Sequence, residues 1–558
     1  MDVRIERDER LGEVGAHETV GARDEARAAG EELAKVPPQI SDAVIRPGGV
    51  LFVCFHAAVP ADEQPKGSPE RGRSAVRSGA FTGLSYVALS LAAAVAGAFL
   101  AHKFGRNDRT DGFMAAYGVY LVLVLGAQAF RMVVVPDLTR AEAEGRLGSE
   151  FRAYAVAFLA VAVPATVVTA VFANFWGELI TGRLPESSAH VAAQALPWLV
   201  PAAFAQLIAA LAASALAAKD SYAPAALGFA IGGIAGVVFF VLAADSHGLV
   251  SLAWGLALNG AIAIGLPLAV LLVRGNRLRR HRGVPLRLGY RLWRLAYGAA
   301  VPIALQGLYL IALRFAAGTG EGSVTSLSYA YLLAATFVST TAFSLSLISA
   351  APLTRRGVDA ESAAEHVVHS AWISLAFVGA AAGLVALLGG RVVTAVLGPA
   401  FAGNVGEELG RLVVFLSPWM IGNAAFLITY PLLFVMHRTR FLIPLALAGV
   451  VIDVPISIVC RSLWGLTGVT VALGVTTLLV VLGLMASLAP KMLWLTVNGL
   501  GRLSLLVGAA TALAFGGASL VFGAVPAAAA GLALYALLLL AMRQLGLAQA
   551  WHYVRALH

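Results

Sequence analysis

The chain has 558 residues, of which 59% are apolar and 13% charged, with a formal net charge of +9 and a mean hydropathy of +0.81. A water-soluble globular domain carries about twice that charged fraction, so the composition excludes that class and points to a polytopic membrane protein. Cys54 and Cys460 stand far apart with no Cys/His spacing around them, which indicates neither a disulfide framework nor a metal site, and no cofactor is expected.

The segment 1–77 is charged and rich in Ala and Gly, and "PADEQPKGSPERGR" has the composition of a linker; it is expected to be a mostly disordered cytosolic tail. Within it "VLFVCFHAAV", 50–59, is too short to span a bilayer, and the acidic N-terminus does not have the pattern of a signal peptide. From position 78 onward the chain is a succession of apolar runs of about 18 to 28 residues, each long enough to cross a ~30 Å hydrocarbon core as a helix. About fourteen are expected, near 78–101, 112–135, 151–174, 191–217, 223–244, 249–273, 295–317, 323–351, 366–388, 411–436, 441–460, 465–489, 503–523 and 528–545. Lipid offers no partner to backbone N–H and C=O groups, and the alternating pattern of a membrane barrel is absent, so the expected fold class is all-α.

The run "RGNRLRRHRG", 274–283, lies between two apolar stretches and reads as a cytosolic loop rather than a nucleic-acid patch. Placing it inside collects about fifteen Lys and Arg on that face against about six on the other, and puts both termini in the cytosol. The basic loop "AHKFGRNDRTD", 101–111, runs against this bias because it falls outside. Many arginines, few lysines and abundant Ala and Gly suggest a GC-rich bacterial genome, hence a bacterial cytoplasmic membrane.

The chain also repeats itself. "VVVPDLTRAEAEG", 133–145, recurs as "SAAPLTRRGVDAE", 349–361; "ALPWLVPAAF", 195–204, as "LSPWMIGNAAF", 416–426; and "AAKDSYAPAAL", 217–227, as "VMHRTRFLIPLAL", 435–447, all at a nearly constant offset. This divides the chain into a first six-helix block at 78–273, a basic cytosolic loop at 274–294, a second block at 295–489, and two further helices with a short cytosolic C-terminus at 490–558. An even number of helices gives both blocks one orientation, as in transporters built from parallel repeats.

With these features the chain resembles the multidrug/oligosaccharidyl-lipid/polysaccharide (MOP) exporter superfamily, and within it the MurJ (MviN) type of lipid II flippase. The similar positions are "FGRNDRTDGFMAAYG" leading into "FRMVVVPDLTRAEAEG", "DSYAPAALGFAIG", "LRFAAGTGEGSVTSLSYAY" and "HRTRFLIPLALAGVVIDVPIS", spread over nearly all of 78 to 490. The resemblance implies fourteen helices in two lobes and a non-enzymatic carrier. Its substrate would be an undecaprenyl-pyrophosphate-linked glycan, flipped to the outer leaflet by alternating access. Partners would be that lipid-linked substrate and membrane lipids, with no nucleic acid; a monomer is expected, and the N-terminal tail is a candidate for binding a regulatory partner.

The resemblance also singles out site residues. Arg314 falls where these flippases carry a cavity arginine, although it lies about four residues, ~6 Å, from the helix end at Gly318, within snorkelling reach. Arg131 lies about five residues, ~8 Å, from Pro136 and is the second candidate to hold a pyrophosphate, since a guanidinium binds phosphate oxygens in a bidentate fork. Asp111 matches the family's acid, with capping of its own helix as the alternative. Asp453, with Ser457 one turn on and Pro455 between them, resembles a sodium site, so coupling to Na+ or H+ is one reading and interhelical hydrogen bonding the other. Trp198 and Trp419 are expected in packing or an interface belt, and Asn259, Gln306 and Asn423 in interhelical bonding. Ser90, Ala96 and Leu313 depart from the family's charged residues and make the cavity less cationic. A small-molecule antiporter of the same superfamily (MATE-like) and a scaffold that has lost transport are the competing functions.

Overall fold

The computed structural model describes residues 91–219, 221, 223–274, 287–338, 360–435 and 440–542; the side chains of Arg131 and of several neighbours in its helix fall outside that description. The regular elements described are helices: α1 (Leu91–Phe104), α2 (Asp108–Ala143), α3 (Leu147–Val171), α4 (Ala173–Thr181), α5 (Glu186–Ala217), α6 (Ala223–His247), α7 (Val250–Arg274), α8 (Leu288–Ala316), α9 (Ser323–Val338), α10 (Ala360–Leu397), α11 (Asn404–Phe415), α12 (Ser417–Val435), α13 (Leu442–Leu488), α14 (Pro490–Thr511), α15 (Gly517–Val521) and α16 (Ala524–Ala541). The fold is an all-α polytopic membrane architecture. Among the described residues nine helices are long and apolar enough to cross a membrane, or ten if the bent pair α11–α12 is one span; the expected spans at 78–101 and 323–351 lie partly outside the described residues. The segment 1–77 and most of the loop at 274–294 lie outside the described residues.

That tally counts α13 once, although it doubles back. Gly465, at φ 57°, breaks it into arms 442–464 and 466–488, and a β-carbon on Gly449 would touch Val480, one on Gly483 Leu445, and one on Gly468 the carbonyl of Cys460. The position numbers of these pairs sum to nearly the same value, as the rungs of an antiparallel hairpin do. A left-handed glycine makes the reversal possible without a loop.

Small residues set the tightest contacts elsewhere. A β-carbon on Gly236 of α6 would lie 2.5 Å from the carbonyl oxygen of Gly255 in α7, and one on Gly255 would press on that of Gly236. The backbones touch, as small-residue stripes permit where lipid cannot drive helices together by the hydrophobic effect. Asn259 sits on the same seam with its Oδ1 over Gly232 and no hydrogen-bond donor among the described residues. Gly112 of α2 meets the backbone of Ser188 in α5 in the same way.

Contacts sort the turns onto two faces. Arg106, Gly182, Asp245, Gly318, Gly322 and Gly398 are joined to each other's neighbourhoods by packing and hydrogen bonds, and we call that side the outer face after the charge-based expectation. Asp137, Glu150, Arg291, Arg294, Glu361 and Lys491 pair at the opposite ends of the helices. Between the two faces α2 and α8 run side by side.

Candidate gates and buried polar cluster

At the outer face α2 is started by a capping box: Asn107 Oδ1 accepts from the Thr110 amide, and the Thr110 hydroxyl answers the Asn107 amide. Because Asn107 already caps α2, the carboxylate of Asp111 is released from that duty and turns to the second block. It accepts from the Gly322 amide at 2.7 Å, the Thr325 amide at 2.8 Å and the Thr325 hydroxyl at 2.5 Å, and has no exposed surface. Asp111 therefore caps the N-terminus of α9, in the other block, rather than its own helix, and its negative charge meets the positive end of a helix dipole. Just before α2, Arg106 Nε donates to the Gly322 carbonyl at 2.9 Å and the Ser326 hydroxyl at 3.0 Å. His102 packs on the backbone of Gly398, and the Tyr329 hydroxyl donates to the Gly97 carbonyl at 3.1 Å. The turn between α1 and α2 is thus clasped to the turn between α8 and α9.

The opposite face carries a second set of links between the same two helices and their neighbours. Arg291 Nη2 of α8 donates to Glu150 Oε2 of α3 at 2.7 Å and its guanidinium lies 5.4 Å from the centre of the Tyr154 ring; both charged side chains are largely buried. Arg294 Nη1 lies 2.8 Å from Asp137 Oδ2 of α2, which also accepts from the Tyr154 hydroxyl. Acids come from the first block and cations from the first two turns of α8, the helix that leads into the second block and starts at Leu288, inside the stretch expected to be a loop.

Between these two faces the seam is packed. A β-carbon on Gly118 of α2 would strike Leu313 at 2.7 Å and Leu310 at 3.0 Å of α8, and one on Gly126 would meet Ile303 at 3.3 Å. Tyr309 and Tyr331 stack at 3.9 Å beside it, held by Ser328 and Gln306, and Trp419 closes on Tyr331 at 4.7 Å. At Gly118 and Gly126, α2 and α8 therefore meet in apolar contact rather than lining an open cavity. Leu313 has a packing role that an aspartate could not fill without burying a charge. Of the repeated tryptophans, Trp419 is buried in this cluster while Trp198 is 47% exposed and lies edge-on to Trp254.

Arg314 is exposed at the outer end of α8, where its guanidinium lies across Gly182 at the end of α4, with Nη1 in the space a β-carbon there would take. Gly182 has φ 64°, so its backbone favours glycine, and the missing side chain leaves room for the guanidinium. Arg131 lies in the C-terminal half of α2, and its side chain is outside the described residues. The structure therefore brings Arg314 to the outer contact between the blocks and places Asp111 in it.

Asp453 lies midway along the first arm of α13, about 16 Å of helix rise from either end. It is 1% exposed, in the middle of an otherwise apolar stretch. Its polar neighbours are the hydroxyls of Thr476, on the second arm, and Ser457. Reading the sequence singles out Asp453 and Ser457 and misses Thr476, because the Gly465 reversal that brings it across is a tertiary fact. Arg106, Asp137, Glu150, Arg291 and Arg294 are missed as well; their local signals were the capping box at 107–110 and the acid within the repeated "VVVPDLTRAEAEG".

No family model and no curated protein matches the chain by sequence. Solved structures do. The chain is similar to the lipid II flippase MurJ in an inward closed conformation, at TM-score 0.65 and 14% identity over 83% of this chain and 99% of that one. The chain has the fold of the MOP-superfamily transporters. An inward-facing multidrug-resistance MATE transporter of that superfamily is similar at TM-score 0.57 and 13% identity over 75% of this chain and 96% of that one. A mutant of the Vibrio cholerae MATE transporter VcmN is similar at TM-score 0.52 and 10% identity over 75% of this chain and 96% of that one.

Proposed function

We propose that the protein is a carrier that flips a lipid-linked glycan across the cytoplasmic membrane of a bacterium by alternating access, its two sequence blocks moving as lobes. The observation that carries this reading is the pair of interblock closures at opposite ends of α2 and α8. One is built on Asp111 and Arg106, the other on Glu150–Arg291 and Asp137–Arg294. The outer contacts join positions separated by nearly the offset of the sequence repeat, as equivalent turns do when they meet on the axis relating two repeats. Closures of this kind are separable, since each is made of a few charged and hydrogen-bonded contacts beside an apolar seam.

In this cycle Arg314 is freed from Gly182 when the outer face opens and then offers an unpaired guanidinium to a pyrophosphate arriving from the inner leaflet, where Arg131 is the matching cation. The Asp453–Ser457–Thr476 cluster takes Na+ or H+, for which a carboxylate beside two hydroxyls is a suitable donor set. Both termini lie in the cytosol, the chain works as a monomer, and the 1–77 tail binds a regulatory partner. Depletion of the protein followed by mass spectrometry of undecaprenyl-linked intermediates tests the substrate: accumulation of one such species is expected, and an unchanged lipid pool rejects it. The likeness to MATE transporters supports small-molecule antiport as the second reading, which an unchanged lipid pool together with altered sensitivity to cationic drugs would favour.

A further inference from the structure

Two opposite charges hold the two ends of the turn at 317–322. Asp111 of the first block takes the amides of Gly322 and Thr325 at the N-terminus of α9. Arg461, at the outer end of the first arm of α13, donates from Nη2 to the Gly318 carbonyl at 2.6 Å, just past the C-cap of α8. Its guanidinium packs so closely that a β-carbon on Gly318 would collide with Nη2. A cation there meets the negative end of the α8 dipole, as the carboxylate of Asp111 meets the positive end of α9. The turn is therefore gripped from within its own block by Arg461 and from the other block by Asp111.

Arg461 stands about 12 Å of helix rise beyond Asp453 on one continuous arm. Building on the coupling role proposed for Asp453, we propose that Arg461 is the positioning residue that transmits the state of the Asp453 cluster to the outer closure. Binding of a cation between the two arms of α13 shifts the first arm relative to the second. Arg461 carries that shift to the Gly318 carbonyl, the turn moves as one piece with α13, and the amides of Gly322 and Thr325 are withdrawn from Asp111 or returned to it. Arg461 touches neither cation nor substrate. Loss of its guanidinium leaves cation binding in place and uncouples the outer face from it.

Double electron–electron resonance between spin labels at Glu186→Cys and Ala402→Cys, both exposed on the outer face and outside the contacts named above, reads that face directly in the full-length protein with Cys54→Ser and Cys460→Ala. The probes are Na+ titrated at fixed ionic strength and a pH series without sodium. The expected result is a label distance that shifts on cation or proton addition in the otherwise unmodified chain. In Arg461→Ala the shift is lost while the cation-induced rise in melting temperature persists, and Arg461→Lys, which keeps a charge at the helix end, regains it in part. An Arg461→Ala protein whose label distance responds as fully as the parent overturns the role of Arg461 alone. A parent chain that responds to neither Na+ nor pH, with Asp453→Asn indistinguishable from it, overturns this inference and the coupling reading of Asp453 together.

Discussion

Arg314 lies across Gly182, with its Nη1 in the space that any side chain at that position would need. The contact joins the second block to the first at the outer face. It gives a cation that looks misplaced in its apolar helix a defined position.

Gly182→Ala should therefore displace Arg314 and strain a backbone at φ 64°. A backbone held in so sparsely populated a region costs an alanine about 1–3 kcal/mol, while the exposed end of the Arg314 side chain swings aside at little cost. A fall in melting temperature in detergent checks this. In the double variant Gly182→Ala, Arg314→Ala the loss should be smaller than the sum of the single losses, because the methyl group then fills vacated space; strict additivity would mean the two residues do not interact.

Removing the Asp111 carboxylate should open the outer closure. Asp111→Ala leaves two amides and a hydroxyl at the start of α9 without their acceptor, and hydrogen bonds to a charged group are worth about 1.5–3 kcal/mol each. A cysteine at Ser326, buried beneath Arg106, should then react faster with a membrane-impermeant maleimide in a background lacking Cys54 and Cys460. Equal labelling with and without Asp111 would show that the closure does not depend on it.

The inner pair Glu150–Arg291 is buried enough that breaking it leaves a charge poorly solvated. Glu150→Gln should cost up to about 3–5 kcal/mol. The exchange Glu150→Arg, Arg291→Glu should recover part of that, which separates the pair energy from the packing of Arg291 on Tyr154. A thermal double-mutant cycle reads both.

Gly236→Ala tests the backbone contact between α6 and α7. The added methyl would meet the Gly255 carbonyl at 2.5 Å, so the helices must part along their tightest seam. The expected loss is about 1–3 kcal/mol, against a change near zero for Gly265→Ala in α7, where nothing lies within 4 Å. Similar effects for the two variants would argue against the seam.

The amino-acid sequence by itself determines that the chain is helical and membrane-embedded, because lipid leaves the backbone no other way to satisfy its hydrogen bonds and the apolar windows are local. It also marks Asp453 and Arg314, since a charge within an apolar run is visible from its immediate neighbours. Only the tertiary structure decides what these groups meet. Asp111 caps a helix of the other block, Thr476 reaches Asp453 through the Gly465 reversal, and Arg314 rests on Gly182, pairings that leave no trace in any local window. The apolar contact of α8 with Gly118 and Gly126 has the same origin: whether side chains of α8 meet glycines of α2 depends on how two helices from different blocks come together, and composition is silent about that.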